Sequence, residues 1–205
     1  MPEENVNFWK IKEEIRVLGV DDGPFEFGEG KEALIVGAVY RGGRCLDGVL
    51  TTMIEVDGND ATDRISEMIL RSRHRGQVRI VMTDGLTFGG FNVMDGESVY
   101  ERTGLPVISV TRSRPDMKSI EKALRNFSDF ERRWERIQRA GEPTAHIYPD
   151  GRGKANVFFQ AFGIDEEDAH QIIEITSTHS LIPEPIRSAH MIASGLVKGE
   201  SYGRV

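Results

Sequence analysis

A chain of 205 residues, 39% hydrophobic and 29% charged, is long enough to bury a core of its own without disulfide or structural-zinc support. Its one cysteine, Cys45, excludes an intramolecular disulfide and a cysteine-rich zinc site. A net charge of −7 argues against coating nucleic acid by charge alone, yet acidic residues gathered around a metal are neutralised when it binds.

Met1 to Lys12 is charged throughout, without the apolar segment of a secretion signal. No apolar stretch reaches the roughly 18 residues that suggest a membrane span, so the expectation is a cytoplasmic protein with no membrane partner. Ile15–Val20 reads as a strand closed by Asp21-Asp22-Gly23-Pro24. Ala33–Tyr40 and Cys45–Val56 are further strands, joined at Gly42-Gly43, and the three form an antiparallel meander. From Asn59 to His74 the period changes: Ile65, Met68 and Ile69 fall at helical spacing. Val78–Thr83 is a continuous apolar strand closed by Asp84-Gly85. A glycine-rich loop, a short helix near Gly96–Arg102 and a buried strand at Pro106–Val110 follow. Strand, helix, strand in this order implies parallel pairing with right-handed crossovers. Pro115 to Arg139 is helical in pattern, and its basic cluster Arg132, Arg133, Arg136 and Arg139, more often a solvated face than a ligand site, is the best phosphate-facing candidate. Thr144–Tyr148 and Ala155–Ala161 suggest a hairpin turning at Asp150-Gly151. Two helices, Asp165–Ser177 and Pro183–Leu196, complete one α/β domain over residues 1–205.

Two strands end alike, in Gly19-Val20-Asp21 and Met82-Thr83-Asp84-Gly85. Ligand sites of α/β sheets gather at the carboxyl ends of strands, so two aspartates placed there converge. Paired carboxylates repel unless a cation lies between them or one holds a proton, and hard oxygen ligands suit Mg²⁺ or Mn²⁺. The plainer alternative is that each Asp simply closes its strand, since Asp-Gly is a common turn dipeptide. Asp22, next in sequence, points to the other face if the strand continues and reads as a supporting or turn residue. The Asp84–Gly90 loop lacks a Gly-Lys-Ser/Thr phosphate cradle and reads as a turn beside the site.

The stretch from Asp84-Gly85 through Gly89-Gly90-Phe91-Asn92 to Gly104-Leu105-Pro106 and Arg112 resembles the endonuclease V family. Gly19-Val20-Asp21 is similar to that family's first catalytic strand end, and Pro183-Glu184-Pro185-Ile186-Arg187-Ser188-Ala189-His190 to its Pro-Glu-Pro-x-Arg-x-Ala-His segment. The whole-chain pattern, with Asp21-Asp22-Gly23-Pro24-Phe25 and Asp57-Gly58-x-Asp60-Ala61-Thr62, is closer still to the domain of unknown function 99 group, regarded as endonuclease V relatives. The resemblance implies an RNase H-like mixed sheet, an antiparallel three-strand meander plus parallel strands, flanked by helices. It implies a Mg²⁺ or Mn²⁺ site built from Asp21, Asp84 and a third acid. Counting back from Asp84 as the family does reaches Asp63, with Asp60 as the alternative or as a helix cap. Arg112 stands where the family has a strand-end lysine, and His190 stands at the edge of the site or is a satisfied core histidine; Glu184 instead anchors Arg187 locally. Two departures bear on base recognition: Leu46–Asp63 has no counterpart of the family's tyrosine wedge, and Gly90-Phe91-Asn92 replaces its His-Pro-Arg.

The expected function is a divalent-metal-dependent phosphodiesterase acting on DNA or RNA. Asp21, Asp63 and Asp84 bind the metal, and Arg112 and His190 complete the catalytic set. The alternative is a nucleic-acid or nucleotide binding module of the same fold that has lost hydrolysis.

Overall fold

A computed structural model of the chain describes residues 6, 8, 10–148 and 157–201. Strand β1 (Arg16–Asp22) runs at the middle of the sheet, and its inner residues are buried on both faces. It pairs antiparallel with β2 (Glu32–Arg41), which pairs antiparallel with the edge strand β3 (Cys45–Glu55). Helix α1 (Ala61–Arg71) crosses one face and leads to β4 (Ile80–Asp84), parallel to β1. A two-residue hairpin, β5 (Thr87–Phe88) and β6 (Asn92–Val93), then precedes α2 (Gly96–Thr103). Strand β7 (Val107–Thr111) lies parallel to β4. After α3 (Met117–Leu124) and α4 (Phe130–Arg139), the antiparallel pair β8 (Thr144–His146) and β9 (Val157–Phe162) returns to the sheet, with β9 antiparallel to β7. Helices α5 (Glu166–Thr176) and α6 (Glu184–Lys198) complete the order. The seven-stranded sheet runs β3-β2-β1-β4-β7-β9-β8.

Each sheet face has its own core, as the two-residue alternation of strands requires. Leu18, Val20, Val81 and Val107 pack with Ile65, Ile69 and Val99 of α1 and α2. Val17, Ile80, Met82, Ile108 and Val110 pack with Ile172, Ile173 and Ile186 of α5 and α6. No helix among the described residues is long and apolar enough to cross a membrane.

The expected meander and parallel pairing are present, with two differences. The 115–139 stretch is two helices, separated by Arg125–Asp129 and each preceded by an aspartate, Asp116 and Asp129. The glycine-rich loop contains the β5–β6 hairpin, too short for a periodic signal. The expected turn at Asp150-Gly151 lies outside the described residues. A further correction concerns the basic cluster. Arg133 is 3% exposed; its guanidinium donates to the carbonyls of Gly58 at 2.9 Å, Asp57 at 2.8 Å and Phe91 at 2.5 Å, and to Asp129 Oδ1 at 2.7 Å. Arg136 donates to the carbonyl of Val93 and Arg139 to Asp95. Three of these four cations therefore hold α4 to the loops beneath it, because an arginine fork satisfies several buried carbonyls at once.

Candidate active site

The parallel register between β1 and β4 aligns Gly19 with Met82 and Val20 with Thr83. The next residues along the two strands are Asp21 and Asp84, which lie side by side on the face covered by α6. Asp84 closes its strand because Gly85 turns the chain with φ of 67°, and the Thr83 hydroxyl donates to the Gly85 carbonyl at 2.7 Å. Asp84 is in register with Val110 of β7. Arg112, just beyond β7, is close enough for its charge to act on the Asp84 carboxyl.

The first turn of α6 rests directly on β1. A Cβ at Gly19 would stand 2.1 Å from the Pro185 carbonyl carbon and 2.4 Å from the Ile186 nitrogen, so only glycine admits this approach. From that contact, four residues of helix advance about 6 Å and two residues of strand about 6.7 Å. Helix and strand thus arrive together at His190 and Asp21, where His190 Nδ1 and Asp21 Oδ2 are 2.8 Å apart. His190 Nε2 is buried and has no hydrogen-bond partner among the described residues.

Asp21 is 4% exposed. Burial pushes its carboxyl above the ordinary range, and the bonds from His190 and the Asp22 N–H offset part of that rise. Asp84 is pushed up to about 7, first by burial and then by the charges of Asp21 and Asp22. The hydrogen bond to Asp21 holds His190 above its usual value, against burial. Asp22 continues β1 and points to the opposite face, as expected for a strand that runs on. Its Oδ2 accepts from the Gly89 N–H at 2.5 Å, and burial followed by the Asp21 charge raises it to about 6.

Asp63 is not part of this group. It lies in the first turn of α1, its side chain 57% exposed, and pairs with Arg102 of α2. Asp60 is committed elsewhere too: Oδ1 accepts from the Glu55 N–H and the Asn92 amide, and Oδ2 pairs with Arg64. The first turn of α1 faces α2 and the β5–β6 hairpin, which explains why a count along the chain does not bring Asp63 to the strand ends. Glu184 is buried, binds Arg187 through Oε2 at 2.7 Å and accepts from the His179 N–H, so its role is local anchoring. Asp22, expected as a supporting residue, makes its contact with Gly89, and Gly19 beneath α6 is the site-building residue to which motif reading gives no role. The signal for it was a glycine inside an otherwise apolar strand.

Among the described residues no three carboxylate, imidazole or thiolate side chains form a closed metal cage. The donors present are two adjacent carboxylates, Asp21 buried and Asp84 half-buried, with no ammonium or guanidinium among the described residues bonded directly to them. That fits Mg²⁺ or Mn²⁺, which commonly binds through one or two carboxylates and completes its shell with water and substrate phosphate oxygens. An apolar recess of about 130 Å³ opens past the end of β4 on the α3 and α4 side of the sheet, lined by Gly85, Leu86, Thr87, Thr111, Met117 and Ile120. A larger cleft, about 930 Å³ and bordered by Glu13, Arg44 and Glu174, lies at the opposite end of β1, away from the acids.

A mixed sheet with an antiparallel meander, parallel central strands and acids at their carboxyl ends is an RNase H-like arrangement. The Bacillus subtilis Endonuclease_V structure shares it, with a TM-score of 0.57 at 14% identity over 90% of this chain and 81% of that one. The chain belongs to the family described as Endonuclease dU, whose profile matches residues 13–197. A UPF0215 protein from Methanothermobacter thermautotrophicus is 53% identical over 98% of this chain and 96% of its own length. A protein of unknown function from Archaeoglobus fulgidus has the same fold, with a TM-score of 0.79 at 34% identity, covering 90% of this chain and 99% of that one.

Proposed function

We propose that this protein is an endonuclease that hydrolyses a phosphodiester bond in nucleic acid with Mg²⁺ or Mn²⁺ held by Asp21 and Asp84. The observation that carries the reading is the β1–β4 register, which sets the carboxylates of Asp21 and Asp84 side by side, the first of them bonded to His190. Membership of the Endonuclease dU family and the endonuclease V-like fold support it. A bound divalent ion supplies a water nucleophile at neutral pH and neutralises phosphate charge. In that setting Asp21 and Asp84 are ligands through their carboxylate oxygens. His190 keeps a proton on Nδ1 toward Asp21, which holds that carboxylate ionised and fixes its orientation. Arg112 offers positive charge beside Asp84, where phosphate charge builds in the transition state. The apolar recess that begins at Gly85, one residue past Asp84, offers a place for a base turned out of the stack.

The test is an incision assay with end-labelled single- and double-stranded oligonucleotides carrying one uracil, one hypoxanthine or neither. Uracil comes first because the family is described by dU. The expected result is incision that needs Mg²⁺ or Mn²⁺, stops with chelator and falls at least about 100-fold in Asp21→Ala, a loss of the size seen when one group stabilising a transition state is removed. Full activity in that variant contradicts the proposal. The position of Asp63, paired with Arg102 away from the strand ends, favours one rival, a binding module without hydrolysis. Its signature is oligonucleotide binding that survives chelator with no incision under any condition.

A further inference from the structure

The loop that leaves β1 just beyond the acids carries Phe27, which is 72% exposed, more than any other large apolar side chain among the described residues. The ring is not loosely displayed. It stands edge-on to Phe25, with centroids 5.2 Å apart and planes at 76°, and Phe25 is packed against the core of the α1 face. The β5–β6 turn also comes near it: a Cβ at Gly90 would be 3.5 Å from the Phe27 ring. The neighbouring Gly89 donates its N–H to Asp22, directly beside Asp21. The loop is drawn together by the Lys31–Glu26 pair at 3.0 Å and turns on Gly28 and Gly30, whose positive φ angles favour glycine. An aromatic ring, largely open to water, is thus packed on Phe25 and near the turn whose Gly89 binds Asp22, the residue after Asp21.

We propose that Phe27 is a stacking platform for a nucleobase adjacent to the scissile phosphate, so that the bound substrate is single-stranded or locally opened. This rests on the endonuclease reading. One ring is far too small for a protein–protein interface, which needs about 800 Å² from each partner. A flat π-face beside a phosphate-handling site is what sequence-tolerant binding of single strands uses. With 72% of the residue exposed, Phe27 has ring surface available for a base, and the loop that carries it follows directly on the strand end that holds Asp21.

The test is binding of a fluorescein-labelled single-stranded oligonucleotide, followed by anisotropy with Ca²⁺ in place of Mg²⁺. Phe27→Ala is expected to bind about tenfold more weakly, within the range for loss of one stacked base, with an unchanged melting temperature because the ring is exposed. Phe27→Trp is expected to retain affinity, and its indole emission to be quenched on binding. A series of oligonucleotides with one abasic position each is expected to contain one that the parent and Phe27→Ala bind alike. If Phe27→Ala binds as the parent does while the parent still cleaves, the platform is overturned and the endonuclease reading stands. If the parent neither binds nor cleaves any oligonucleotide, both are overturned.

Discussion

Asp84→Asn is expected to raise the melting temperature of the metal-free protein at pH 8 by several degrees and to abolish the stabilisation that Mn²⁺ gives the parent. Asp84 titrates near 7 in the folded chain because burial, Asp21 and Asp22 all oppose its charge. In the unfolded chain it titrates near its ordinary value of about 3.9. The folded state therefore binds protons more tightly than the unfolded state. Its stabilising contribution is complete below about pH 4 and is lost as the pH rises through about 7. The shift is worth on the order of a few kcal/mol. A neutral amide of the same shape removes that loss, so the variant melts higher than the parent at pH 8 and its stability depends less on pH between 5 and 8. Metal acts in the opposite direction: it competes with the protons, and at about 100 times its dissociation constant it adds about 2.7 kcal/mol to the parent. Thermal melts of both proteins at pH 5 and pH 8, with and without Mn²⁺, test this. A variant less stable than the parent at pH 8 without metal contradicts it.

Gly19→Ala is expected to cost about 3 kcal/mol or more, at the upper end of overpacking penalties. The added methyl group would meet the carbonyl carbon of Pro185 at 2.1 Å, its oxygen at 2.3 Å and the nitrogen of Ile186 at 2.4 Å. These are backbone atoms in the first turn of α6, so no side-chain rotation relieves the contact and the helix must move. Displacing α6 separates His190 from Asp21, and the hydrogen bond that raises His190 is weakened. The His190 imidazole, followed by NMR, is then expected to titrate at lower pH than in the parent. An unchanged melting temperature contradicts the close approach of α6 to β1, and an unchanged His190 titration contradicts the coupling to Asp21.

The elements that build the site are unequally legible in the sequence. Asp21 and Asp84 stand out because each closes an apolar run, and parallel pairing follows from the helix between their strands. The start of α6 is marked by Pro183 and Pro185, and Asp22 follows from strand alternation once β1 is allowed one more residue. Asp63 misleads because its partner, Arg102, lies 39 residues away, and no local pattern reveals that α1 turns its first acids toward α2. Arg133 misleads for a related reason. In a run of charges it reads as a solvated face, yet the carbonyls of Asp57, Gly58 and Phe91 that hold it come from loops distant in sequence. Phe27 carries no signal of its own, because its exposure depends on how Phe25 and Gly90 brace it.

The central claim is that Asp21 and Asp84 form one divalent-metal site from which Asp63 is excluded. Calorimetric titration of Mn²⁺ into the parent and into Asp21→Ala, Asp84→Ala and Asp63→Ala tests it most directly. The account predicts binding by the parent, loss of that binding in Asp21→Ala and in Asp84→Ala, and retention of it in Asp63→Ala. Loss of binding in Asp63→Ala, or full binding in either of the other two variants, contradicts it.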